Sequence, residues 1–304
     1  MKIRHWIEFS AFQLIAFFVK LLPLSAARGL GRSLGRFVFS VLGYRKNVTL
    51  SNLRRAFPEK SSEDIERIAR GAYENAGTSL FELVWFPRMS REEIQRQVRF
   101  DKPEILIEAH GRGKGVLVLT AHFGNWELLG QAIWATFGFP FSGIAKTQSN
   151  RLIDRSINER RKRLGVKVIP METSLREVLR VLRDGELVAI VADQAAPKEN
   201  VPVEFFCTMV PTHQGPSAFS LKTGAAIVAM FAVRASDGTY DVRVIDVPSA
   251  VLSADSEADV VELTQRHVKI TEEVIRQFPD HWLWMHKRWK HMPLPGAQTG
   301  GAAT

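Results

Sequence analysis

The fold of this chain is organised around one apolar stretch with a polar end, Val116-Leu117-Val118-Leu119-Thr120-Ala121-His122-Phe123-Gly124-Asn125-Trp126-Glu127. Its first five residues have the composition of a buried β-strand. Gly124 and Asn125 then interrupt the strand, and a helical pattern of apolar residues follows from Leu128. The stretch therefore predicts a strand, a loop that carries His122, and a helix whose first turn carries Glu127.

The spacing of His122 and Glu127 makes this loop a candidate catalytic site. On one continuous helix, residues five apart point about 140° away from each other, so the two side chains would diverge. With His122 on the loop and Glu127 on the first helical turn, the side chains can meet. We therefore interpret His122 as a candidate general base that is oriented by Glu127.

The pattern around this stretch predicts an α/β fold in which strands alternate with helices. Strand-like runs cover Gly115–Thr120, Phe141–Ala145, Val166–Ile169, Leu187–Ala192, Ala226–Ala235 and Tyr240–Val247. Helical patterns cover Glu63–Leu83, Trp126–Thr136, Asn150–Leu164, Ser174–Asp184, Gln214–Thr223 and Glu257–Phe278. This alternation favours a single mixed sheet covered by helices.

Charge is distributed unevenly along the 304 residues, which carry a formal net charge of +9. Residues 1–58 hold 10 Lys/Arg and 1 acidic residue, whereas the remaining residues hold 31 of each sign. A nucleic-acid-binding protein usually carries its basic excess on the folded domain. A basic N-terminal segment beside apolar residues fits an anionic membrane surface better, so no nucleic-acid partner is expected.

The N-terminal segment, residues 1–45, is predicted to anchor the chain to a membrane. Residues 9–24 are mostly apolar but include Gln13 and Lys20, and they are fewer than the roughly 20 that a spanning helix needs. Residues 30–42 mix arginines with large apolar residues, as in an amphipathic helix that lies on a membrane. A cleaved signal peptide is the alternative, because Lys2 and Arg4 precede the apolar run and Ser25-Ala26-Ala27 resembles a cleavage site.

A second polar strand end and a basic cluster are further candidate site elements. Asp193 and Gln194 follow the apolar run 187–192, and open α/β sheets place their sites where strands end in this way. An irregular stretch then follows, predicted either to shape the mouth of an apolar pocket or to form a surface loop with a short hairpin. Arg161 belongs to the cluster Arg160–Arg163, which either binds phosphate or an acidic carrier, or complements a helix C-terminus.

Other catalytic classes lack their sequence signatures. The chain has no serine nucleophile elbow, zinc-binding histidine pair, P-loop or dinucleotide fingerprint, so we expect neither a metal nor an organic cofactor. Its one cysteine, Cys207, excludes an internal disulfide and suits a reducing compartment.

The chain resembles the late acyltransferases of lipid A biosynthesis, the lauroyl and myristoyl transferases of the lysophospholipid acyltransferase superfamily. His122 and Glu127 match the His-x4-Asp/Glu motif of that superfamily, whose segment here includes Asn125 and Trp126. Further matches follow in the family's order: Asn52-Leu53 with Phe57-Pro58, Arg161, Asp193-Gln194 with Phe205-Phe206, and Trp282-Leu283-Trp284 with His286 and Arg288. Cys207 departs from the family, in which glycine is more usual at that position.

The resemblance implies a glycerolipid acyltransferase-like fold, with an α/β acyltransferase domain over residues 46–292 and a flexible tail over 293–304. It implies acyl transfer from an acyl carrier protein to a hydroxyl of a lipid A precursor, at the cytoplasmic face of the inner membrane. His122 and Glu127 would be catalytic, and Arg161, Asp193, Gln194, Asn125 and Trp126 would contact substrate. Asp193 is expected to position either Arg161 or the acceptor, and backbone N–H groups of Gly124–Trp126 to stabilise the oxyanion.

Two alternatives remain open at this point. The first is a related membrane acyltransferase that uses acyl-CoA or acyl carrier protein to acylate another glycolipid or a phospholipid. The second is a non-catalytic protein that binds membrane lipids through residues 1–58 and the tryptophan-rich C-terminal segment. Only the acyltransferases require the intact His122 site.

Overall fold

The computed structural model describes residues 3–196, 200–249 and 256–290 of the chain. The predicted flexible tail, 293–304, lies outside these residues. The main helices of the described part are α1 (Ile3–Leu21), α2 (Leu24–Phe37), α3 (Lys46–Ala56), α4 (Ser62–Trp85), α5 (Arg91–Gln97), α6 (Pro103–Gly111), α7 (Trp126–Phe137), α8 (Arg151–Arg163), α9 (Ser174–Arg183), α10 (Gly215–Thr223) and α11 (Ser256–Gln277).

The described strands form a mixed sheet and a separate hairpin. They are β1 (Val98–Phe100), β2 (Val116–Thr120), β3 (Phe141–Ala145), β4 (Val166–Pro170), β5 (Leu187–Val191), β6 (Asn200–Phe205), β7 (Thr208–His213), β8 (Ala226–Arg234) and β9 (Tyr240–Val247). The sheet has the order β1-β9-β8-β2-β5-β3-β4, and its neighbours are parallel except for β8 and β9. The predicted mixed α/β sheet covered by helices is confirmed. In the described part of the chain β6 and β7 pair only with each other, so the stretch after Gln194 contains the short hairpin that was one of its two predicted forms.

The local sequence explains where these elements begin and end. Every predicted strand is found with its ends displaced by one residue at most, because apolar β-branched runs bounded by glycine or polar residues mark strands clearly. Ser61 caps α4 by accepting a hydrogen bond from the Asp64 N–H. Cys207 lies in the turn between β6 and β7 at a φ of 54°, a backbone conformation that favours glycine.

Strand β2 lies in the middle of the sheet and contributes to the hydrophobic core on both faces. Val116 and Val118 pack with the apolar side chains of α6 and α7 on one face. Leu117 and Leu119 pack on the opposite face with residues of α4, α11 and the β6–β7 hairpin. Because parallel central strands are covered on both faces, the run is continuously apolar instead of alternating.

The N-terminal helices lie against the body of the protein. Helix α1 runs beside α8 in the same direction, since the Asn150 side chain donates to the His5 carbonyl and the Arg160 side chain donates to Gln13. Helix α2 packs on α4. Among the described residues, no helix has both the length and the apolar composition needed to cross a membrane.

Candidate active site

His122 and Asp193 meet because β2 and β5 are parallel neighbours with matched ends. Val116 pairs with Leu187 and Thr120 with Val191, so residues two positions beyond each strand end lie side by side. The Ala192 N–H continues this ladder by donating to the Thr120 carbonyl at 3.1 Å. The topology of the sheet therefore brings the two predicted polar strand ends into one site.

The carboxylate that orients His122 is Asp193. His122 Nδ1 lies 2.8 Å from Asp193 Oδ1, and the His122 backbone N–H donates to Asp193 Oδ2 at 2.9 Å. The indole N–H of Trp282 also donates to Oδ2, at 2.7 Å. With Nδ1 as the donor to Asp193, the imidazole presents Nε2 as its available base.

Burial and charge shift the pKa values of His122 and Asp193 in opposite directions. The side chain of Asp193 is only 4% exposed, and that of His122 is 23% exposed. Burial by itself would lower the pKa of His122, but the charge of Asp193 and its hydrogen bond raise it above its ordinary value. Burial likewise disfavours ionisation of Asp193, yet His122 and Trp282 hold the pKa of this carboxyl below its usual value.

The predicted contact between His122 and Glu127 is replaced by a different ion pair. Glu127 accepts two hydrogen bonds from the Arg161 guanidinium, from Nε at 3.0 Å and Nη2 at 2.5 Å. In the described part of the chain no hydrogen bond joins Glu127 to His122, although the negative charge of Glu127 contributes to the raised pKa of His122. Glu127 thus lies near the imidazole but orients Arg161 instead, because the planar guanidinium matches a carboxylate bidentately.

Of the two partners expected for Asp193, Arg161 or the acceptor, the structure removes Arg161. The predicted contact of Asp193 with Arg161 is not formed, since both oxygens of Asp193 accept hydrogen bonds from His122 and Trp282. The side chains of Arg161 and Glu127 are 19% and 20% exposed, so the pair is reachable from solvent. Asn158 also accepts a hydrogen bond from Arg161 Nη1 at 3.1 Å.

Gln194 and Trp126 flank the imidazole. Gln194 Nε2 lies 3.3 Å from His122 Nε2. The Trp126 ring lies edge-on to the His122 ring, with centroids 5.0 Å apart. Both residues therefore stand where a group bound at Nε2 would contact them.

Asn125, which the sequence suggested as a substrate contact, lies behind the site. It is 1% exposed, and its Oδ1 caps α7 by accepting from the Leu128 N–H at 3.1 Å. The preceding Gly124 has a φ of 53°, and a Cβ there would lie 1.8 Å from the Ala232 carbonyl oxygen. Glycine and asparagine are thus needed to turn the strand into the helix.

One predicted oxyanion donor is already engaged. The Gly124 N–H donates to the His281 carbonyl at 2.8 Å, so it is removed from the predicted set. Asn125 and Trp126 remain of the predicted set. The N–H of Trp126 lies in the first turn of α7, where N–H groups have no intrahelical acceptor, and that of Glu127 joins it there.

The C-terminal segment completes the site, a role that the sequence did not reveal. The Leu283 N–H donates to the His122 carbonyl at 2.9 Å. Arg288 donates to the carbonyl oxygens of Pro211 and Gln194 at 2.8 and 3.4 Å, and burial lowers its pKa to about 10. Asn52 in turn donates to the carbonyl oxygens of Trp284 and His286. These contacts hold the loops of His122 and Asp193 together.

Comparison with known proteins identifies the family. The model of the bacterial lipid A biosynthesis acyltransferases matches residues 1–291. The chain is 24% identical over 295 residues to the lipid A biosynthesis palmitoleoyltransferase of Escherichia coli K12, covering 96% of this chain and 93% of the relative. It is also 24% identical over 297 residues to the lauroyltransferase of that strain, covering 95% and 93%.

A further relative acts on a different lipid by name. The chain is 24% identical over 236 residues to the phosphatidylinositol mannoside acyltransferase of Mycolicibacterium smegmatis, covering 76% of this chain and 74% of the relative. All these relatives are named as acyltransferases, which favours an enzyme over a non-catalytic lipid-binding protein. The chain belongs to the bacterial lipid A biosynthesis acyltransferase family and is an acyltransferase of the late lipid A type.

Proposed function

We propose that this protein transfers a fatty acyl group from the thioester of an acyl carrier protein to a hydroxyl of a lipid A precursor, with His122 as general base. The observation that carries this proposal is the buried Asp193–His122 pair, which leaves Nε2 of a partly exposed imidazole as the base. A hydroxyl is a weak nucleophile at neutral pH and needs such a base.

The reaction proceeds in one transfer. Nε2 of His122 takes the acceptor's hydroxyl proton as the oxygen attacks the thioester carbonyl, and Asp193 stabilises the resulting imidazolium. N–H groups at the start of α7 stabilise the oxyanion. When the C–S bond breaks, the imidazolium returns the proton to the thiolate, so no acyl-enzyme forms.

In this proposal Arg161 binds an anionic group of a substrate and Glu127 holds the guanidinium in place. Their bidentate pair keeps the planar guanidinium in one orientation while leaving part of it exposed. A phosphate on the acceptor or on the carrier's prosthetic group suits this geometry. Glu127 therefore acts on catalysis through Arg161 and, by its charge, on the basicity of His122.

The proposed location is the cytoplasmic face of the inner membrane. Helix α1 exposes a series of large apolar side chains, namely Ile3, Trp6, Ile7, Leu14, Ile15, Phe17, Phe18 and Leu21. The basic excess of residues 1–58 complements an anionic leaflet. A lipid acceptor would then reach the site without leaving the membrane surface.

Similarity to the mycobacterial enzyme supports a second candidate, acylation of another glycolipid or a phospholipid. The donor in this candidate is acyl-CoA or acyl carrier protein. The test offers the purified protein acyl carrier protein or CoA thioesters with a lipid A precursor or a phosphatidylinositol mannoside. We expect acylated lipid A precursor, and loss of the matching acyl chain from lipid A in cells without the protein. Product on the mannoside alone would support the second candidate.

Variants of two histidines complete this test. His122→Ala is expected to lower turnover by about 100-fold or more, the usual effect of removing a positioned base. His110→Ala, at the end of α6, is the matched control and should keep normal turnover. Near-normal turnover of His122→Ala would refute the mechanism.

A further inference from the structure

A buried carboxylate behind the site, Glu82 of α4, holds the start of α7. Its side chain is fully buried, and in the described part of the chain it accepts hydrogen bonds from four residues. The donors are Arg28 Nε at 2.7 Å, Arg234 Nη1 and Nη2 at 2.6 and 2.9 Å, the Tyr240 hydroxyl at 2.5 Å and Asn125 Nδ2 at 2.9 Å.

The contact with Asn125 connects this cluster to the reacting groups. Because Asn125 donates through Nδ2 to Glu82, its Oδ1 faces the Leu128 N–H and caps α7. The first turn of α7 carries Trp126 against the imidazole and Glu127 against Arg161. The orientation of one amide thus sets the position of two side chains in the site.

Helix α4 fixes the preceding backbone as well. The Ser79 hydroxyl donates to the Gly124 carbonyl at 2.9 Å, and Arg234 Nη2 lies 3.2 Å from the Ser79 oxygen. Arg28 brings α2 of the N-terminal segment into the same cluster. The loop between His122 and Glu127 is therefore held by groups from α2, α4, β8 and β9.

The charge of the cluster explains why a carboxylate is needed at this position. Two partly buried guanidinium groups, those of Arg28 and Arg234, face a single carboxylate. Burial disfavours ionisation of Glu82, yet the charges of Arg234 and Arg28 and the hydrogen bonds from Arg234 and Tyr240 hold its pKa below the usual value. A neutral side chain would leave both cations without their counter-charge, which is costly inside a protein.

We propose that Glu82 is a positioning residue for acyl transfer, which acts through Asn125 to hold the first turn of α7 and makes α2 part of the catalytic scaffold. This inference rests on the proposed function. Glu82 touches no reacting atom, so it acts by placing the groups of α7 that surround His122 and Arg161: a displacement of about 1 Å at a reacting group can cost about 100-fold in rate.

The test compares Glu82→Gln with Glu272→Gln, a matched control. Glu272 is also a buried carboxylate, and it accepts from the Phe206 N–H and from Arg276, away from α7. We expect Glu82→Gln to lower kcat about 10-fold or more, because Trp126 and the N–H groups at the start of α7 are displaced. KM for the phosphate-bearing substrate should rise as well, because Glu127 on the same turn no longer holds Arg161 in place. Glu272→Gln is expected to lower stability alone. Equal kcat for Glu82→Gln and the wild type would overturn the inference.

A double-variant cycle tests the route through Asn125. Asn125→Ser keeps a capping oxygen but shortens the reach to Glu82. If Glu82 acts through Asn125, the double variant is no slower than the slower single variant, whereas independent action multiplies the two losses. Should Glu82→Gln fail to fold, Asn125→Ser and Arg28→Gln test the same connection, and normal kcat in both would refute it.

A measurement independent of activity separates this inference from the proposed function. Amide hydrogen exchange in residues 123–131 is expected to accelerate in Glu82→Gln and to stay unchanged in Glu272→Gln. Unchanged exchange in Glu82→Gln refutes the inference whether or not the enzyme turns over. A wild-type protein that transfers no acyl group refutes the proposed function instead.

Discussion

The tautomer of His122 decides which of its nitrogens can act as a base. Oδ1 of Asp193 accepts a hydrogen bond from Nδ1 of His122, and Oδ2 accepts from the His122 backbone N–H and the Trp282 indole N–H. The carboxylate therefore cannot rotate freely. This arrangement fixes the ring and stabilises its protonated form. Glu127, five residues from His122 in sequence, is thereby available to orient Arg161.

The pH dependence of turnover distinguishes the effect of Asp193 on His122 from that of Glu127. Because Asp193 raises the pKa of His122 against the effect of burial, the neutral base becomes populated only as the pH rises through a value above 6.5. In Asp193→Asn, burial acts without the compensating charge, so the pKa of His122 falls. We expect the acidic limb of kcat/KM against pH to move to lower pH, while the plateau drops about 100-fold or more because the tautomer is no longer fixed.

Glu127→Gln is the comparison for that measurement. In Glu127→Gln the acidic limb of kcat/KM against pH is expected to move less than in Asp193→Asn. The charge of Glu127 raises the pKa of His122 less than the charge of Asp193 does. The main effect should be a higher KM for the phosphate-bearing substrate, because Arg161 loses its orienting partner. A larger pH displacement in Glu127→Gln than in Asp193→Asn would make Glu127 the partner of the base.

At the scale of elements, glycines let α2 approach α4 closely enough for Arg28 to reach Glu82. A Cβ at Gly35 would lie 2.1 Å from the Tyr73 carbonyl oxygen, and one at Gly31 would lie 2.6 Å from that of Gly77. Backbone atoms of α4 form these contacts, so no flexible side chain can move aside. The two helices are therefore in backbone contact along this face.

Gly35→Ala is expected to destabilise the protein by about 1–3 kcal/mol or more, since overpacking forces the helices apart. Gly29→Ala lies on the same helix with nothing within 4 Å of the added Cβ, and alanine favours a helix by about 0.5–1 kcal/mol. Thermal unfolding of both variants measures the contrast: a lower melting temperature for Gly35→Ala and an equal or higher one for Gly29→Ala. Equal stability of Gly35→Ala and wild type would contradict the close packing.

Single strands and helices could be predicted from the sequence, whereas contacts between them could not. The strand β2 and the helix α7 follow from a local apolar pattern and from breakers at Gly124 and Asn125, so they were predictable. The pairing of His122 with Asp193 depends on β2 and β5 being neighbours, and strand order is not encoded locally. The clue was present in the polar ends of both strands, but spacing along the chain favoured Glu127. Glu82 belongs to no sequence motif, because its role depends on four hydrogen-bond donors that are distant in sequence.

At the scale of the whole molecule, helix α1 contacts the rest of the protein with one part of its surface and exposes apolar side chains on another. Its Gln13 and the backbone of His5 contact α8, while Leu14, Phe17 and Phe18 are each more than half exposed. Helix α8 also carries Arg161. The apolar face of α1 is thus attached to the same helix that supplies the site's guanidinium, so membrane binding would place the site near the lipid surface.

Replacing Leu14, Phe17 and Phe18 together by serine is expected to weaken binding to anionic vesicles by about 100-fold or more. Full burial of one such side chain contributes about 1.5–3 kcal/mol, and three partial burials are lost. Vesicle sedimentation measures the change, with Met171→Ser and Leu175→Ser as the control for exposed apolar residues outside α1. Equal loss in both variants, or none in the first, would contradict membrane docking through α1.

The segment from Trp282 to Arg288 has a consequence for how the enzyme matures during synthesis. Chains emerge from the ribosome N-terminus first. Helices α1 and α2 are therefore outside the ribosome while Trp282, which holds Asp193, and Arg288, which holds the loop after it, are still unsynthesised or inside the exit tunnel. If the proposed membrane docking through α1 occurs during synthesis, the nascent chain binds lipid before His122 has a fixed partner, and membrane binding then precedes activity by most of the length of the polypeptide.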